Sequence, residues 1–163
     1  RGLGERRRMS APGGKLPSPP ALKRSPSSGG GIRISGLQRG MVLWATVPVA
    51  HALGAEQRHD VPSPWIILST AQVHERLPIV QAVPLSSKLD KGEGPYRAYR
   101  IRILEREITH YDVPKGLRAG DQLALTEQTR VLSHDRLNGD PIAMLSSGAV
   151  ESVAAGVAYV MGL

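Results

Sequence analysis

The chain has 163 residues, which fits one domain with room for tails. Hydrophobic residues make up 40% but aromatics only 4%, and Phe is absent, so a core has to come from Val, Ile and Leu, a composition that favours strands. There is no Cys, which excludes disulfides, thiolate metal sites and Cys nucleophiles. No apolar run approaches the roughly 18 residues of a membrane span. The basic first residues are not followed by an apolar stretch of signal-peptide type. A soluble, cytoplasmic protein is therefore expected.

The formal charge is +7, but it is unevenly spread. Residues 1–40 hold nine of the 21 Lys and Arg and one of the 14 Asp and Glu, which leaves twelve basic and thirteen acidic residues for the rest. A nucleic-acid surface on the body would have to be a local patch, not a general field.

In chain order, residues 1–32 are rich in Pro, Gly, Ser and Arg and read as a disordered basic extension. It is either an arm that touches phosphates or simply upstream sequence. Met41 lies inside the first expected strand, so Met9 is the better natural start. Residues 33–163 alternate short apolar runs with turn signals, the pattern of a small β domain. Arg39-Gly40 leads into a strand at Met41–Val47. A polar loop, His51–Pro64, precedes the apolar strand Trp65–Ser69, and Ile79–Val83 is another. Tyr96–Leu104 reads as a strand with Arg100 and Arg102 on its wet face. Glu105–Gly120 reads as a long loop, Asp121–Leu132 as a strand with a polar middle, and Ser133–Leu137 as a short helical turn. Ile142–Leu145 is the last short strand. A helix follows, capped by Ser146 or Ser147, with Val150, Val153, Ala154, Val157, Ala158 and Met161 at i, i+3, i+4 spacing. Gly156 within it weakens the helix but permits close approach.

The sequence contains no phosphate-binding glycine loop, nucleophile elbow or HExxH motif. Its five His residues, at 51, 59, 74, 110 and 134, are not spaced as metal ligands, so neither a metal site nor a cofactor is expected. Three polar clusters remain. In the first, Glu56, Gln57, Arg58 and His59 sit together in one loop. RNA cleavage through the 2′-hydroxyl needs a base, an acid and positive charge on the phosphorane, and these residue types supply all three. In the second, Ser86, Ser87 and Lys88 follow a strand and offer hydroxyls and a cation to a phosphate. The third holds Glu127, Gln128, Thr129 and Arg130, polar groups able to contact bases or support the site. Taken alone, each cluster also fits a solvated loop or strand face.

Read together and in order, residues 38–163 resemble the MazF/PemK toxin family. Arg39-Gly40-Met41-Val42-Leu43-Trp44-Ala45 resembles the family's opening "RGDV-W-" strand. Gly54-Ala55-Glu56-Gln57 matches its "G-S-E-Q" loop, and Pro64-Trp65-Ile66-Ile67-Leu68-Ser69 its "RP-VVLS" strand. Val83-Pro84-Leu85-Ser86-Ser87 is similar to "VPLTS". Leu125 to Arg130, followed by Arg136-Leu137, is similar to "-L-EQ-R------RL".

The resemblance implies a mainly β fold, an SH3-like barrel of the MazF/CcdB type with a C-terminal α-helix, assembled as a homodimer. It implies metal-independent cleavage of single-stranded RNA to 2′,3′-cyclic phosphate and 5′-hydroxyl ends. Further implied partners are a cognate antitoxin and, through it, operator DNA. The expected catalytic residues are Arg58 on the phosphorane, Glu56 or His59 in proton transfer, and Ser86 on the scissile phosphate. Gln57, Ser87, Lys88, Gln128 and Arg130 are the expected RNA contacts. One departure stands out. The family pattern places a catalytic Arg before the Pro that opens the second strand. Here Pro62 and Pro64 follow Val61 and Ser63. Two rival readings follow: an impaired family member that acts by binding a gyrase-type target or its antitoxin and DNA, and a barrel adaptor whose basic tail does the binding.

Overall fold

The computed structural model describes residues 15–47 and 61–163. Among these residues, ten strands and two α-helices run in the order β1 Lys23–Pro26, β2 Ile32–Ser35, β3 Met41–Ala45, β4 Ser63–Ile67, α1 Ala71–Arg76, β5 Ile79–Ser86, β6 Ile101–Ile103, β7 Ile108–His110, β8 Gln122–Ala124, β9 Arg130–Ser133, β10 Leu137–Leu145 and α2 Ser147–Met161. The antiparallel order is β6-β8-β5-β4-β3-β10-β7, with β9 also on β5. The end strands β6 and β7 are joined through residues 104–107, so the sheet curls into a nearly closed barrel.

The central strands are covered on both faces, which explains their unbroken apolar runs. Alternation sends Val42, Ile66, Val83 and Leu85 into one core with Val150, Val153 and Val157 of α2. It sends Met41, Leu43, Trp65, Ile67 and Ala82 into another with Ile34 and Leu37. Two glycines permit close approach. Gly40 turns into β3 at φ +92, where a Cβ would meet Val150 at 2.9 Å. Gly156 of α2 lies against the carbonyl of Tyr99, where a Cβ would come within 2.9 Å. As its spacing predicts, α2 starts at a Ser146 cap, whose Oγ accepts from the Ala149 amide at 3.2 Å.

The described part of the N-terminal extension differs from its expected disorder. β1 and β2 pair as a hairpin, so a boundary at residue 32 falls inside a folded unit. Its supports come from distant residues. The Ile32 amide donates to Asp135 at 2.7 Å, the Ile34 amide to His134 Nδ1 at 2.8 Å, and Arg24 to the carbonyls of Leu137 and Gly139.

Other elements differ from expectation for local reasons. Only Ile101–Ile103 of the expected strand over 96–104 is a strand. Gly94-Pro95 begins a 3-10 turn instead, where the missing Pro N–H is tolerated. The expected strand over 121–132 breaks at a 3-10 turn, Thr126–Gln128. There Thr126 Oγ1 donates to the carbonyl of Tyr99 and Thr129 Oγ1 to that of Thr126. The short helix α1, absent from the sequence reading, fills the link between β4 and β5.

Candidate functional site

The register Trp65 opposite Pro84, continued two residues outward, places Ser63 beside Ser86. Both line a hollow of about 280 Å³ together with Trp44, Pro64, Leu85, Ser87, Lys88, Lys91, Leu117, Arg118 and Gln122. Among the described residues this lining carries three cations and no carboxylate, an electrostatic bias toward anions within a body of no net positive charge. Ser86 is buried at the end of β5, with its Oγ accepting from the Lys88 amide at 3.2 Å. Among the described residues no acceptor takes its proton, which leaves it for an oxygen in the hollow.

The loop between β7 and β8 forms the far wall. Trp44 Nε1 donates to the Lys115 carbonyl at 2.8 Å, and the Lys115 ammonium sits 4.8 Å from the centre of the Trp44 ring. Leu117 is buried. The amide of Gln122, itself buried, donates to the carbonyls of Arg118 at 3.0 Å and Gly120 at 3.1 Å. The Gly120 amide donates to Glu105 at 2.6 Å. At the loop's base the Glu105 amide, and next the Arg102 guanidinium, hold the Asp121 carboxyl below its ordinary range.

A larger hollow of about 680 Å³ is lined by Arg97, Arg100, Arg102 and Glu93 among others. Two of its three arginines are already engaged. Arg100 is paired with Glu127 and lies 4.1 Å from the centre of the Tyr96 ring, and Arg102 is paired with Asp121. The Ser86 hollow is the better anion site.

Of the expected site residues, Ser86, Ser87 and Lys88 come together there. Glu56, Gln57, Arg58 and His59 lie outside the described residues. Gln128 and Arg130 do not line this hollow. Arg130 opposes Ala82, four residues back along β5 from Ser86, or about 13 Å. The sequence reading missed Lys91, Arg118 and Gln122. For Arg118 the only signal was the long insert that carries it, flanked by Gly116 and Gly120.

Comparison with known proteins agrees with this barrel. A family model described as PemK-like, MazF-like toxin of type II toxin-antitoxin system matches residues 38–161. MazF from Deinococcus radiodurans superposes with a TM-score of 0.54 at 16% identity, covering 78% of this chain and 97% of that one. An endoribonuclease from Mycobacterial species gives 0.50 at 16% identity, covering 79% and 94%. A MazE-MazF structure from Deinococcus radiodurans gives 0.50 at 15%, covering 78% and 97%. Searching curated protein sequences returned no match. The architecture is thus that of the MazF-like barrels, mainly β with a C-terminal helix. The chain belongs to the PemK-like, MazF-like toxins of type II toxin–antitoxin systems. No helix among the described residues is long and apolar enough to cross a membrane.

Proposed function

We propose that the chain is an endoribonuclease that cuts single-stranded RNA at the Ser86 hollow. The observation that carries this reading is the buried Ser86 hydroxyl at a hollow whose described residues bring three cations and no carboxylate. A phosphodiester fits that chemistry: the hydroxyl donates to a non-bridging oxygen, and the cations offset the charge that grows on the phosphorane.

In the reaction the RNA 2′-oxygen attacks the adjacent phosphorus and the bond from phosphorus to the 5′-oxygen breaks. Glu56 or His59 takes the 2′-proton, and an acid from the same segment returns one to the 5′-oxygen. The products are a 2′,3′-cyclic phosphate and a 5′-hydroxyl. Arg58 lies five residues before Ser63, within at most about 18 Å of chain, so it can reach the same phosphate. No step of this scheme requires a metal. Ser87 and Lys88 hold the backbone near the cut, and Gln57, Gln128 and Arg130 serve the flanking nucleotides. A homodimer, a cognate antitoxin and, through it, operator DNA complete the proposal, as the toxin–antitoxin family suggests.

The test is incubation of the full chain with a long single-stranded RNA in EDTA, mapping cut sites and end groups. Cuts at a short recurring motif with cyclic-phosphate ends support the reading. A second reading, toxicity by binding alone, is favoured by Ser63 standing before Pro64 in place of the family's Arg. Folded protein that leaves RNA intact and stays toxic with Ser86→Ala would establish it.

A further inference from the structure

We propose that Arg118 is a further cation, held by the loop between β7 and β8, that acts beside Arg58 on the phosphate at Ser86. This inference rests on the ribonuclease reading above. Two observations combine. The residue before Pro64, where the family resemblance calls for an Arg, is Ser63, and it lines the same hollow as Arg118 on the opposite wall. The positive charge missing from one wall is thus present on the other, contributed by a different part of the chain.

Arg118 suits the role better than its neighbours. Among the described residues the Arg100 and Arg102 guanidiniums each meet a carboxylate, whereas that of Arg118 meets none. Among the described residues its guanidinium is therefore uncommitted, and the side chain is exposed. Its backbone is not loose, because the loop is fastened at Lys115, Leu117, Arg118 and Gly120 by Trp44, the core, Gln122 and Glu105. A preset backbone reduces the reorganisation needed when charge develops. Lys88 and Lys91 line the hollow too, but an ammonium is a point charge on a flexible stem. The planar guanidinium fork matches two phosphate oxygens at once. Gln122 then acts as a positioning residue: its buried amide fixes the Arg118 carbonyl and does not itself face the phosphate charge as a cation.

The test uses full-length protein and a short single-stranded RNA containing a mapped cut site, with kcat and KM measured separately. Four proteins are compared: the parent, Arg118→Ala, Arg118→Lys, and Arg118→Ala combined with Ser63→Arg. Circular dichroism and thermal melts accompany each. Arg118→Ala should lower kcat on the order of a hundredfold, with a much smaller change in KM. Arg118→Lys should fall between it and the parent. Adding Ser63→Arg should recover at least part of the lost kcat, because it returns the charge from the other wall. A purely structural role for Arg118 would predict no such recovery. An active parent with an unchanged kcat in Arg118→Ala would overturn the assignment and leave the ribonuclease reading standing. So would a loss confined to KM. A folded parent inert on RNA would overturn both.

Discussion

The two ends of β5 solve opposite problems. At one end, Ser86 opens onto Lys88, Lys91 and Arg118, and charge is left accessible. At the other, two histidines are buried and kept neutral. His74 is fixed by Ser69 at 2.7 Å, and His134 by the Ile34 amide at 2.8 Å. The first arrangement tolerates mutual repulsion among cations to hold a site for an anion. The second completes a layer of the fold, because it is where the N-terminal hairpin seals the core around Trp65 and Ile67. Activity and stability should therefore separate along a single strand.

The largest effect should be on activity alone. Ser86→Ala should slow RNA cleavage on the order of a hundredfold, with a melting temperature close to the parent's, as read by turnover and calorimetry. Loss of folding with no loss of specific activity would break the comparison at this end. The converse change is Ile34→Ala. It opens a cavity between hairpin and barrel and should cost about 2–4 kcal/mol in urea unfolding while the folded fraction keeps its turnover. If Ile34→Ala is neutral, the hairpin is not part of the core.

A smaller effect is expected at Gly156. Ala there gains about 1 kcal/mol in helix propensity, but its Cβ would press on the Tyr99 carbonyl and Ile101 at 2.9 Å. The crowding should win, leaving the variant less stable by about 1 kcal/mol or more, visible as a lower melting temperature. A higher melting temperature would mean that α2 can lift off the barrel at no cost.

The smallest effect concerns pH. Burial is the main cause that lowers the pKa of both His74 and His134 below the ordinary 6.5. A base with a depressed pKa when folded binds fewer protons than its unfolded form. Its contribution to stability is present above 6.5 and is lost as pH falls through the folded value. The structural reason is direct: His134 Nδ1 accepts a hydrogen bond from the Ile34 amide, and protonation would set two donors against each other. Urea midpoints between about pH 5 and pH 8 should fall toward acid, and His134→Gln, which keeps an acceptor for Ile34, should flatten that slope. An unchanged slope would assign the acid sensitivity elsewhere.

Legibility in the sequence followed how local the physics was. The strands expected at Met41–Val47 and Ile79–Val83, observed as Met41–Ala45 and Ile79–Ser86, and the helix with its Ser146 cap, rest on short apolar runs, spacing and a neighbouring side chain. The hairpin was invisible because its few apolar residues sit among Pro, Gly and Ser, and its partners, His134 and Asp135, lie about a hundred residues away. The turn at Thr126 was hidden similarly, since Thr126 bonds a carbonyl 27 residues earlier. In the site, Ser86, Ser87 and Lys88 were readable as one short run after a strand. Arg118 was not, because only folding brings the loop of Lys115 and Leu117 over Trp44.

The most direct test of the central claim is cleavage of a long single-stranded RNA by the full chain in EDTA, with the parent beside Ser86→Ala. Recurring cuts with 2′,3′-cyclic phosphate ends in the parent, strongly slowed in the variant, are the predicted result. RNA left intact by folded parent protein, or cut equally by both, would contradict a catalytic site at the end of β5.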